Sequence, residues 1–210
     1  MVDKSNEYGF VPSSPTQARG ANTGIFEVND VTDLLLAEQW SGDFGALELI
    51  ETQTYSSGVS YIDFTSINGA NYNVHFLTFD GLSTTVAGTS LFSIRYSTDG
   101  GSSFVSSGYQ NAYQSGDSGG SFNENRSTSE SGIRIGFSYS TTLTSGYVYL
   151  YNLNNSSKYS FNSFHSIQDN SKFTFGSGVY PTANTVNAIR VYDVYSLDSG
   201  TVSLYGIAES

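Results

Sequence analysis

The sequence predicts an all-β fold: an antiparallel β-sandwich, jelly-roll-like, preceded by an extended N-terminal arm with one short helix. Three observations carry this. From Ala46 onward, apolar and polar residues alternate with period two in nine separate segments. Gly, Asn, Asp and Ser fill the gaps, and no helix-length pattern divides the segments, which disfavours a parallel α/β sheet. Charged residues are 13% and aromatics 15% of the 210 residues, with sixteen Tyr and fourteen Phe. Disordered chains need the opposite balance.

The arm comes first, over residues 1–45. Residues 1–28 hold no sustained period. Pro12 and Pro15 stiffen extended chain there, since proline denies helix to the residue before it. A helix is predicted over about 30–40. Asn29 or Asp30 can cap it, Val31, Leu34, Leu35 and Trp40 recur at helical spacing, and Asp30 and Asp33 sit where the helix dipole favours acid. Nine of the nineteen carboxylates lie in residues 1–51 against only Lys4 and Arg19. That shift places a boundary near Gly42–Gly45, with the β domain spanning 46–210.

Strands are predicted over 47–52, 61–65, 72–79, 91–96, 133–139, 147–153, 159–167, 188–195 and 201–207. Asp99-Gly100-Gly101 and Asn154-Asn155 supply turn chemistry. Residues 114–131 are long and polar for a tight hairpin and are expected to form a loop available for surface contacts. In Tyr147-Val148-Tyr149-Leu150-Tyr151 the apolar pair should face the core, leaving a tyrosine ladder opposite. Tyr suits any half-buried strand, and the same ladder fits a subunit interface or a sugar-stacking face.

Several chemistries lack a foothold. No cysteine is present, so disulfides and thiolates are absent. A net charge of −11 argues against nucleic acid, which needs clustered Lys and Arg. The longest apolar run, 34–37, is far short of a membrane span, and residues 1–10 hold no secretory h-region. His75 and His165 lie singly in strand patterns without zinc spacing, so no metal-ligating residue is assigned; the acidity leaves a calcium site open, with no EF-hand spacing to place it. No G-x-S-x-G elbow anchors a hydrolase triad. Asp63, Asp80, Asp99, Asp193 and Asp198 form the pool for a glycosidase pair, which meets in space and not in sequence.

Ser97-Thr98-Asp99-Gly100-Gly101-Ser102-Ser103-Phe104 resembles the Asp-box of sialidases and other β-propellers. It describes a hairpin turn in which Asp and Ser side chains bond the loop backbone, Gly101 supplies positive φ and Phe104 packs underneath. Sialidases repeat the box and need an arginine cluster, whereas here it occurs once and the five arginines are dispersed.

A wider set of strings is similar to small structural proteins of tailed bacteriophages, especially those of marine and cyanobacterial hosts. These are 14–17, Gly24-Ile25-Phe26, 30–34, 47–54, 62–67, 72–74, 94–104, 186–190 and 199–207. The resemblance implies a non-enzymatic virion protein of tail-fibre or head-decoration type, assembled in the host cytoplasm, with no catalytic residues and no cofactor. It also implies other virion proteins as partners and self-association, a trimer being favoured. Pro12, Pro15, Ile25, Phe26, Leu34, Leu35 and Trp40 would anchor the arm to the particle. Tyr147, Tyr149 and Tyr151 would serve an interface or, alternatively, a host surface glycan.

Overall fold

The computed structural model describes residues 47–56, 58–86, 90–169 and 172–207. The predicted arm, its helix over 30–40 and its seven anchoring residues lie outside them. All described residues fall in one compact unit, Gly45–Ser210. They form eleven strands and no helix: β1 (Leu47–Tyr55), β2 (Val59–Phe64), β3 (Val74–Thr84), β4 (Ser90–Ser97), β5 (Tyr109–Asp117), β6 (Phe122–Glu130), β7 (Ile133–Ser138), β8 (Thr144–Tyr151), β9 (Tyr159–Gln168), β10 (Lys172–Ala183) and β11 (Ala188–Ile207).

Every pairing is antiparallel, in the order β6-β5-β10-β9-β8-β3-β11-β4-β7, with β1 and β2 also on β11. The organiser is β11. Its first half runs between β2 and β4, and its second half between β1 and β3. Two segments expected as separate strands, 188–195 and 201–207, are therefore one. The chain passes through the intervening Leu197-Asp198-Ser199-Gly200 with register shifts on either side of Ser199. Such bulges bend a strand without ending it. Gly200, at φ 135°, is the residue the bend requires, because a Cβ there would stand 2.6 Å from Leu82 Cδ2.

The sheet curls on itself, so that β7 at one end lies against β9 and β10. Enclosed between them are Leu77, Phe79, Ile94, Ile133, Ile135, Val148, Leu150 and Val202, all essentially inaccessible to solvent. The curl brings β7 very close to β10. A Cβ on Gly178 would lie 2.3 Å from Ile133 Cγ2.

The expected loop over 114–131 is instead a hairpin. β5 and β6 pair from Tyr109↔Glu130 to Gly116↔Phe122, turning at 118–121. Asp117 Oδ1 accepts the amides of Gly119 and Ser121 and closes the turn.

Candidate functional site

Register determines what the outer surface of the curled sheet carries. Side chains of one face recur every second residue, so cross-strand partners line up in rows. One row reads Leu49–Tyr205–Phe76–Tyr149–Ser163–Ser177–Ala112–Arg126 across eight strands, from β1 to β6. The row on one side holds Ile207, Val74, Tyr151, Phe161 and Val179, and the row on the other holds Ser203, Thr78, Tyr147, His165 and Phe175. The alternation expected for 147–151 is present: Val148 and Leu150 are fully buried and the three tyrosines point outward.

Those tyrosines belong to a larger aromatic sheet surface. Phe76 lies 4.8 Å from Tyr149 and 5.8 Å from Tyr147, centroid to centroid. Tyr151 stacks on Phe161 at 4.7 Å, and Tyr147 meets His165 edge-on at 6.0 Å. Phe173 stacks on Phe175 at 6.3 Å further along. Aliphatic residues extend the surface, with Leu49 60% and Ile167 56% exposed. Across the outward positions of β11, β3, β8 and β9 in these rows and the next, Asp80 alone carries a charge. It sits at the rim, accepting a 2.7 Å bond from Ser145 Oγ.

The Asp-box segment forms a tight loop between β4 and β5. Ser97 Oγ and the Ser103 amide donate to Asp99 Oδ1 at 2.7 and 2.9 Å, and Ser103 Oγ donates to Oδ2 at 2.6 Å. The Ser103 hydroxyl and amide, with Ser97, hold the Asp99 carboxyl down at about 2. The stabilisation Asp99 gives is thus present above the ordinary carboxylate range and is lost as pH falls through about 2. Gly101 has φ 89°, as the motif requires. One expectation changes. β4 and β5 do not pair with each other, so the loop joins separate parts of the sheet and closes locally through Val105 N to Tyr96 O at 2.9 Å. Phe104 packs against Arg190, whose guanidinium lies 4.0 Å from its ring and 3.4 Å from that of Tyr61. Asp63 holds the same guanidinium with two bonds of 2.6 and 2.7 Å.

Asp193, another member of the carboxylate pool, is similarly engaged. It is buried and accepts from Ser138 Oγ at 2.6 Å and from the Tyr195 amide at 2.9 Å. Among the described residues no three His, Cys, Asp or Glu side chains converge as a metal would need. His75 is fully buried, its Nε2–H donating to the Ile67 carbonyl at 2.7 Å, while burial pushes its pKa down. Among the described residues no helix is long and apolar enough to cross a membrane.

The outer surface holds a large depression, over β9, β10 and β5 beside the β8–β9 turn, of about 1200 Å³. No sequence signal placed it, because its floor comes from small residues brought side by side only by register. No family model matches the chain, and no curated protein matches it.

Proposed function

We propose that this chain is a non-enzymatic virion structural protein of a tailed bacteriophage, whose β domain self-associates through the aromatic outer face, with a trimer as the favoured state. The segment 1–45 would dock on a larger assembly, tail or head, through Pro12, Pro15, Ile25, Phe26, Leu34, Leu35 and Trp40. The curled sheet is read here as a jelly-roll-like sandwich, with β2, the first half of β11, β4 and β7 facing the remaining strands.

A single observation carries the self-association: the face of β1, β11, β3, β8 and β9, where Asp80 at the rim is the one charge. Aromatic and aliphatic side chains interspersed with Ser and Thr cover it, and exposed clusters of this kind mark contact surfaces. Five strands spaced ~4.8 Å, each showing four residues at ~6.8 Å, present roughly 650 Å² before side-chain relief is counted. A stable interface buries ~800 Å² per partner, so the scale is right. Charge selects the occupant. Copies of a −11 chain repel one another through most surfaces, and this face brings almost no carboxylate into contact.

Docking by the arm is tested by deleting residues 1–40 and measuring the chain recovered in purified particles. The expected result is a folded β domain that is no longer incorporated. Incorporation at normal levels would sink the anchoring role.

A further inference from the structure

We propose that the depression over β9, β10 and β5 is a binding site for an acidic saccharide, a role distinct from self-association at a site that borders the aromatic face along Phe161 of β9. Its shape follows from register. Ser177 and Ala112 stand side by side on β10 and β5, beyond Ser163 on β9, where the same row carries Tyr149, Phe76 and Tyr205 on the strands before them. Small side chains following large ones leave a trough. Phe161 and the half-exposed Tyr159 wall it on the β9 side, and Arg126 rises from edge strand β6, opposite Ala112.

The charge in this trough is the deciding feature. Six cations occur among the described residues, and four are engaged. Arg190 holds Asp63, Arg134 holds Glu130, Arg95 lies over the Tyr192 ring and Lys172 over the Phe137 ring. The remaining two, Arg126 and Lys158, are exposed, pair with no carboxylate among the described residues, and both line the trough. No Asp or Glu lines it. In an acidic chain, two unpaired cations meeting in one depression without a carboxylate make a local positive field that selects an anion.

The other lining groups set the chemical class. Gln110 and Asn152 carry amides, and Ser157, Ser177 and Thr128 carry hydroxyls, groups that both donate and accept. A sugar presents alternating hydroxyls around an apolar ring face. Phe161 and Tyr159 supply flat area for that face, and Arg126 and Lys158 supply partners for a carboxylate. A bare inorganic anion would leave the aromatic wall unused.

The test is calorimetric titration of the full chain with a galacturonate hexamer and with sialyllactose, against maltohexaose and inorganic phosphate as controls. Binding of at least one acidic saccharide is expected, at least tenfold tighter than maltohexaose or phosphate. Affinity should fall at least tenfold in the double variant R126Q/K158Q, and also in Y159A. These exposed changes should leave the melting temperature unchanged, which is checked on each variant. Absence of binding by both acidic sugars overturns the proposal. So does equal binding of maltohexaose or phosphate, or undiminished affinity in the folded R126Q/K158Q protein.

Discussion

His75 shows how one buried side chain ties this fold to pH. Its ring is held neutral, with Nε2–H given to the Ile67 carbonyl and Nδ1 lacking a hydrogen-bond partner. Burial lowers its pKa below the unfolded value of ~6.5, so below that pH the unfolded chain takes up a proton that the native chain refuses. Stability contributed by the neutral ring is therefore full above ~6.5 and declines as pH falls towards the lower native value. Melting temperatures from pH 7.5 to 5 should drop less steeply in His75→Gln than in the wild type, and parallel slopes would refute this. Gly101 makes a second case. Its φ of 89° suits glycine, and a Cβ would stand 2.7 Å from Thr65 Cγ2. Gly101→Ala should cost on the order of 1–3 kcal/mol by denaturant titration, combining backbone strain with that clash. Gly100→Ala carries the backbone term alone, since nothing lies within 4 Å of its Cβ position, and should cost less.

At the scale of elements, legibility follows burial. Strands with an aliphatic or aromatic inner row, such as 72–79, 91–96, 133–139 and 147–153, were readable because alternation is the direct imprint of one buried face. β6 was not. Phe122-Asn123-Glu124-Asn125-Arg126-Ser127-Thr128-Ser129-Glu130 is an edge strand exposed along nearly its whole length, so polar residues occupy both faces, which also discourages edge-to-edge pairing. β10 was hidden for the opposite reason: the close approach of β7 demands glycine at 178, and glycine reads as a turn. β5 buries Asn111 and Ser115 where a core strand would show aliphatics. The outer aromatic face was legible only at Tyr147, Tyr149 and Tyr151. Its other members come from β3, β9, β10 and β11 and meet through register, which no local pattern encodes. The inner face of β9 holds a further consequence. Asn162 is fully buried with neither its amide nitrogen nor its oxygen bonded, and Asn111 lies across Gly178 with its nitrogen unbonded. An unsatisfied buried amide costs free energy that an apolar side chain of the same shape does not. Asn162→Leu should therefore stabilise the protein by about 1 kcal/mol in urea titration, whereas a loss of stability would mean that the amide has a partner such as a buried water.

At the scale of the whole molecule, one sheet carries two regions that border each other along β9. The aromatic face over β1, β11, β3, β8 and β9 is proposed for contacts between copies, and the cation-lined trough over β9, β10 and β5 for a saccharide. The most direct measurement is the mass of the full chain by light scattering, for the wild type and for Tyr149→Glu. Tyr149 points away from the core, so a carboxylate there spares the fold but adds a like charge at every contact between copies. The account predicts a wild-type mass that is a multiple of 22.6 kDa, three copies being favoured, and collapse to a single copy in the folded variant. A wild-type mass of 22.6 kDa, or an assembly that the substitution leaves intact, would contradict it.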